Sequence, residues 1–351
     1  MTDHQPRLGL VDRFLTLWIL LAMAAGLWIG SAFGGVNEWL DSYRIGSVSL
    51  PVAIGLFAMM YPVLAKVRYS SLGTVLTDRR MLTVSLILNW VIGPLLMFAL
   101  AWIFLPDLPE YRTGLILIGL ARCIAMVLVW NDLACGDREA AVVLVALNSV
   151  FQVLAYAFLG YFYLQLLPTW LGLSTATLDV SMWMIAKAVL IFLGLPLVLG
   201  YLSRALGEKA RGREWYEKRF LPVVGPFALY GLLFTIVILF ALQGDRIISQ
   251  PVDVLRITVP LLIYFVVMWL SAMLYAKKLG FTYERASSVA FTAAGNNFEL
   301  AIAVAVAVFG MNSGEALAGT VGPLIEVPAL IALVSLSLWF KRRWKAQPQL
   351  E

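Results

Sequence analysis

The residues of this chain that can do chemistry lie inside apolar segments. Cys123 sits in the run Gly119-Leu-Ala-Arg-Cys-Ile-Ala-Met126, directly after Arg122. An arginine at membrane depth costs roughly 2.5–3.5 kcal/mol on insertion scales, so the fold must supply it with a partner or a water-filled cavity. A lone buried cysteine is often a small hydrophobic filler. A neighbouring positive charge instead favours the nucleophilic thiolate. One sulfur suits a soft, thiophilic solute held weakly enough to leave, where three thiols would suit tight retention. Glu299 follows the sequence Gly295-Asn296-Asn297 and has about ten further apolar residues on its C-terminal side. Desolvation there disfavours the charged carboxylate, so Glu299 is placed to load and release a proton near neutral pH. The alternative role is a structural ion pair with Arg122.

Other polar residues in apolar runs have two readings each. Glu326, in Gly322-Pro-Leu-Ile-Glu-Val-Pro328, lies between prolines that predict a kinked helix with free carbonyls facing protein or water. It is a partner for Arg122 or a second proton site. Asn131 and Asp132 cap or terminate their segment. Asn148 and Gln152 share a helix face at i,i+4 spacing, lining a cavity or bonding between helices. Lys187 snorkels to an interface, and Met59 and Met60 are packing. The one histidine is His4, in a polar tail, so no histidine-based metal or catalytic site is expected. Cys123 and Cys135 would be about 18 Å apart on a continuous helix, too far for a disulfide with each other.

These residues need elements to hold them. Of 351 residues 61% are hydrophobic and only 13% charged, about half the charge of a soluble domain. Apolar runs of about 20 residues recur, each able to cross a hydrocarbon core of about 30 Å. The chain therefore reads as an all-α polytopic membrane protein, one transmembrane domain over 1–351, with the polar stretch Ser203 to Arg219 as a loop. The first apolar stretch, Phe14 to Ile29, has no small-residue cleavage pattern and reads as a true span rather than a signal peptide.

Ten spans are predicted near 14–33, 48–65, 82–105, 113–133, 139–167, 182–202, 221–242, 254–276, 286–309 and 315–339. Alternate loops and tails hold 20 Lys and Arg on one side and four on the other, with Arg122 and Lys187 inside spans. By the positive-inside rule both termini are cytoplasmic. That segregation also accounts for the net charge of +5 without nucleic acid as a partner.

The halves resemble each other. Leu50-Pro-Val-Ala-Ile-Gly-Leu-Phe-Ala-Met-Met-Tyr61 matches Leu221-Pro-Val-Val-Gly-Pro-Phe-Ala-Leu-Tyr230 at an offset of 171 residues. Five spans separate the copies, so they run in opposite directions, as in the inverted repeats of secondary transporters. The repeats cover about 10–168 and about 180–341. The same offset carries Cys123 to Ala294, beside Gly295-Asn296-Asn297. Glycine and asparagine weaken a helix, which predicts paired breaks at the midplane in spans 4 and 9, where freed backbone groups line a binding site.

Several segments taken together resemble a known family. They are Asp12-Arg-Phe-Leu-Thr-Leu-Trp18, the stretch from Leu50 to Tyr69, Ala121-Arg-Cys-Ile-Ala-Met-Val-Leu-Val-Trp-Asn131, Gly295-Asn-Asn-Phe-Glu-Leu-Ala301 and Gly322-Pro-Leu-Ile-Glu-Val-Pro328. The chain resembles arsenite efflux permeases of the arsenical-resistance (Acr) type, within the bile acid/sodium symporter superfamily. The resemblance implies ten helices in panel and core domains, with broken helices 4 and 9 crossing in the core. It implies export of arsenite, with antimonite as an alternative solute, by proton antiport across a bacterial inner membrane and with no cofactor. The family's essential cysteine maps to Cys123 and its essential glutamate to Glu299. Asn296 and Asn297 would hydrogen-bond the substrate's hydroxyls, supported by Arg122, Asn131, Asn148 and Glu326. The sodium-coupled branch has a glutamate ligand where this chain has Ala293, and a hard cation without it loses a strong oxygen ligand.

The rival on the same fold is a sodium-coupled importer of an organic anion, with Arg122 pairing the substrate's carboxylate. An intramembrane enzyme is disfavoured: there is no midmembrane histidine, no histidine-based zinc motif and no paired membrane aspartates. A sensor would need a signalling domain that no segment is long enough to supply. Oligomeric state is not encoded legibly.

Overall fold

The computed structural model describes residues 15–33, 35, 36, 39, 42–45, 48–67, 78–124, 126–173 and 181–344. Its elements are helical because in lipid every backbone donor and acceptor must be satisfied within the protein. In chain order they are α1 (Leu15–Ala32), a two-residue antiparallel ladder β1 (Arg44–Ile45) and β2 (Val48–Ser49), and α2 (Leu50–Lys66). Then come α3 (Arg79–Phe104), α4 (Pro109–Leu120), α5 (Met126–Leu133), α6 (Arg138–Trp170) and α7 (Met182–Arg211). The remainder are α8 (213–224), α9 (Phe227–Ser249), α10 (Pro251–Lys278), α11 (Tyr283–Ala294), α12 (Phe298–Phe309) and α13 (Gly314–Arg343).

Six helical stretches among the described residues are long and apolar enough to cross a membrane: α3, α6, α7, the run Arg213–Gly244, α10 and α13. Shorter apolar helices include α2 and α12. The chain is thus a multi-pass membrane protein by length and composition. His4, Arg68 and Lys345 lie outside the described residues.

Among the described residues four π turns interrupt the helices, at Leu88–Ile92, Phe162–Leu166, Leu190–Gly194 and Tyr216–Phe220. Each ends two residues before a proline: Pro94, Pro168, Pro196 and Pro222. Proline offers no N–H and its ring crowds the carbonyl four residues back. A widened turn gives that carbonyl room and shifts the hydrogen-bond register.

Two groups of helices pack around the centre. In one, α1 and α2 lie on α9 and the C-terminal part of α7 lies on α2. The α1 and α9 backbones touch: a Cβ on Gly30 would sit 2.4 Å from the Ala241 carbonyl oxygen. Close approach through small residues is the membrane substitute for a hydrophobic drive between helices. In the other group α10 packs on α3, α11 and α13, while α13 packs on α4 and α12.

The stretch Ser203 to Arg219 is a correction. It is helical, continuing α7 to Arg211 and forming most of α8. The pairs Arg204–Glu208 (2.6 Å), Arg213–Glu217 (3.1 Å) and Glu214–Lys218 (2.6 Å) stand at i,i+4 spacing, which supports a helix whose polarity imitates a loop. Arg204 is buried and donates to the carbonyls of Ala65 (3.3 Å) and Lys66 (3.1 Å), and Tyr216 Oη also donates to Ala65 (3.2 Å). These bonds cap the last turn of α2, whose terminal carbonyls lack intrahelical partners. The expected start of span 7 is also revised: Leu221 and Pro222 belong to α8, and a turn at Gly225–Pro226 precedes α9.

Candidate functional site

The two predicted breaks are present and meet. Helix α4 ends at Leu120 and α5 begins at Met126; α11 ends at Ala294 and α12 begins at Phe298. Ala121 (φ −88°, ψ 120°) and Gly295 (φ −70°, ψ 139°) are extended. The extended segments pair antiparallel, Arg122 opposite Asn296. Cys123 N–H donates to the Gly295 carbonyl (3.2 Å), and Asn297 N–H to that of Ala121 (3.1 Å). Asn296 Nδ2 donates to Ile118 (2.8 Å) and Ala121 (3.2 Å), while Asn297 Oδ1 accepts Leu300 N–H (3.0 Å) and caps α12. The backbone groups released by one break therefore satisfy those released by the other, as burial requires.

Four helix ends converge on this crossing, and the charges sort by helix polarity. Arg122 is fully buried. Its guanidinium donates to the Gly119 carbonyl near the C-terminus of α4, to the Ala293 carbonyl near the C-terminus of α11 (3.3 Å), and to Tyr264 Oη (2.7 Å). A helix C-terminus carries about half a negative charge, so two such ends stabilise the cation. The N-termini hold acceptors instead. Cys123 Sγ accepts Val127 N–H of α5 (3.3 Å), Glu326 Oε1 accepts Asn296 N–H (3.4 Å) just before α12, and Glu299 lies in the first turn of α12.

This corrects the expected partners of Arg122. Among the described residues its hydrogen bonds reach carbonyls and a phenol, and neither Glu299 nor Glu326 pairs with it. Neighbouring residues of an extended segment project to opposite sides, so the positive group on the Cys123 sulfur is the end of α5 rather than the Arg122 guanidinium. Tyr264 was not anticipated; its signal, a hydroxyl in the middle of an apolar span, is shared by other tyrosines of the chain.

The remaining polar residues tie helices together. Asn131 Oδ1 accepts from Ser288 Oγ (2.8 Å), joining α5 to α11. Asn148 Oδ1 accepts from Trp90 Nε1 (3.2 Å), and Gln152 Oε1 accepts Arg122 N–H (2.8 Å). Of the two roles open to Asn148 and Gln152, bonding between helices is the one seen. Neither cysteine forms a disulfide. No group of three or more His, Cys, Asp or Glu among the described residues is placed to hold a metal ion.

A cavity of about 800 Å³ opens between the two helix groups. Met59 and Lys66 of α2 and Leu229 of α9 line one wall, Met126 of α5 and Glu299 of α12 the other. Its lining is largely apolar, with Lys66, Glu217 and Glu299 as its charged residues. Cys123 is 4% exposed, three residues before Met126 on the cavity wall. Such a space accepts a neutral solute, with one carboxylate at its wall and one thiol behind it.

The sodium bile acid symporter family model matches residues 53–250. Over 333 residues the chain is 59% identical to the arsenical-resistance protein Acr3 of Corynebacterium glutamicum, covering 95% of this chain and 90% of that one. It is 34% identical over 340 residues to the arsenical-resistance protein Acr3 of Alkaliphilus metalliredigens, covering 94% and 93%. It is 38% identical over 358 residues to the uncharacterized transporter slr0944 of Synechocystis, covering 95% and 91%. Matches that span nearly the whole of each chain leave one conclusion: this chain belongs to the sodium bile acid symporter family of membrane transporters, in its arsenical-resistance branch.

Proposed function

We propose that this chain exports arsenite from the cytoplasm by proton antiport, with antimonite as a second solute. The observation that carries the reading is the crossing itself, which sets a thiol on a helix N-terminus and a carboxylate on the wall of a cavity large enough for the solute. The unit is a single domain over 1–351 with ten spans, both termini cytoplasmic, and an inverted repeat over about 10–168 and about 180–341. Helices α1, α2, α7, α8 and α9 serve as the panel and the rest as the core.

Arsenous acid enters neutral, as the largely apolar cavity favours. The Cys123 sulfur bonds to arsenic and one As–OH bond breaks, the hydroxyl leaving as water with the thiol's proton. Water reverses the step on release. The unpaired buried polar atoms of the crossing include Arg122 Nε, Asn296 Oδ1 and Asn297 Nδ2; the two asparagine atoms are an acceptor and a donor for the remaining As–OH groups. Buried groups of this kind cost free energy until a ligand or water pairs them. Glu299 takes a proton from outside, which disfavours the loaded state and promotes release; the protonated carrier then returns.

Protons are favoured over sodium by Arg122. Its Nη1 bonds the carbonyl of Ala293, the position where the sodium-coupled branch carries its glutamate. A fixed guanidinium balances the helix C-termini there and leaves no carboxylate for a hard cation. Arg122 is fully buried and does not line the cavity, which argues against the organic-anion rival.

Two variants test the roles. Cys123→Ser inserts normally and loses arsenite efflux; undiminished efflux would remove the thiol from the mechanism. Glu299→Gln loses uphill export while still binding arsenite; uphill export at the wild-type rate would exclude it as the coupling group.

A further inference from the structure

The 800 Å³ cavity has Lys66 and Glu217 in its lining, and Glu299 where it adjoins a much smaller space. Beyond Glu299, toward the C-terminal half of α9, only a space of about 10 Å³ remains, walled by Ile236, Leu239, Phe240 and Ile302 with Thr235 and Thr320. Toward the basic loops the cavity adjoins a second space of about 240 Å³, and Val63, Lys66 and Val129 line both. The far wall of that second space carries Asp132 of α5 and Arg138 of α6. Lys66 of one helix group and Asp132 of the other thus line the same space, with Glu217 in the adjoining cavity and Arg138 in this one as the further charges.

The two sides differ in how firmly they are held. Lys66 ends α2, whose last carbonyls are fixed by Arg204 and Tyr216. Asp132 is bonded within its own helix group, to Arg138 at 3.7 Å, near the limit of an ion pair, and Arg138 is 68% exposed. A long pair with an exposed partner contributes little, so Asp132 exchanges partners at small cost. We infer that Lys66 and Asp132 are the two halves of a latch that closes the charged end of the cavity when the opposite, apolar end opens. Alternating access needs such a closure on each side. Here one closure is largely apolar and already shut, and the other is electrostatic and open.

The inference rests on the transport reading, and its test separates the two. Lys66→Asp and Asp132→Lys each slow uphill arsenite uptake into everted vesicles by about tenfold, and the double variant recovers to within about threefold of wild type, as coupled partners do. Lys66→Arg keeps wild-type uptake. A Lys66→Cys, Asp132→Cys pair in a Cys135→Ser background is cross-linked by a short bismaleimide in membranes without arsenite, and neither single cysteine variant is. A double charge variant no better than the singles, or a cysteine pair that resists cross-linking, overturns the latch. Wild-type protein that moves no arsenite would count against the substrate, and the cross-link would still decide the latch.

Discussion

Replacing Arg122 by methionine and Glu326 by glutamine, singly and together, separates two accounts of the buried charge. In the structure Arg122 holds the carbonyls of Gly119 and Ala293 and the hydroxyl of Tyr264. Methionine orphans two buried carbonyls, at about 1–3 kcal/mol each. Part of that loss is offset because the guanidinium's desolvation, several kcal/mol, is no longer needed. A net loss of about 2 kcal/mol is expected. Glutamine at 326 keeps an oxygen for Asn296 N–H, its 3.4 Å partner, and costs under about 1 kcal/mol. The two side chains share no bond with each other and are linked only through Asn296, so the double variant equals the sum of the singles within about 1 kcal/mol. Were Arg122 and Glu326 an ion pair, breaking it from either side would cost about 3–5 kcal/mol, and much of that would vanish in the double variant. Denaturant titration of the purified variants in mixed micelles gives all four free energies. A coupling above about 1.5 kcal/mol, or an Arg122→Met protein more stable than wild type, would refute the assignment of Arg122 to helix C-termini.

Two further outcomes follow from local geometry. Gly295 has a backbone open to any residue, but an added Cβ would lie 3.0 Å from Cys123 Cβ and 3.3 Å from the Phe291 carbonyl; Gly295→Ala should cost about 1 kcal/mol and sharply slow arsenite uptake by displacing the sulfur, and wild-type uptake would show that its position is not critical. Asp107, in the turn between α3 and α4, is hydrogen-bonded by Arg256 (2.8 Å to Oδ2), which pulls its carboxyl from 3.8 to about 2. A lowered value means the stabilisation is present above the unfolded value and lost as pH falls through the folded one. Wild type and Asp107→Asn should therefore differ in melting temperature at pH 7 and converge between pH 3.8 and about 2; a difference that persists at the acid end would contradict the bridge.

Much of the site was legible because membrane depth makes polar residues conspicuous. The positions of Cys123, Glu299 and Gly295-Asn296-Asn297 in apolar runs announced both breaks, and the offset of 171 residues put them at one level. What each side chain bonds to was not legible. Arg122 asked for an anion by its charge, and the fold answered with two helix ends, a property of the crossing that no spacing reveals. Asn296 uses its amide nitrogen on α4 carbonyls, which leaves its oxygen as the atom available to a solute. The stretch Ser203 to Arg219 misled because its charges, read as loop polarity, are i,i+4 pairs on a helix beyond the apolar core, with Arg204 turned inward to cap α2. Helix ends shifted for a related reason: apolar length limits a span, while capping residues such as Asp137 and Ser313 set where its helix starts.

The central claim is proton-driven export of arsenite, and the direct measurement is arsenite accumulation in everted membrane vesicles energised to an acidic, positive interior. The account predicts uphill accumulation that collapses on adding a protonophore and is indifferent to a sodium gradient. No accumulation by well-inserted protein, or accumulation that survives the protonophore and follows sodium, would contradict it.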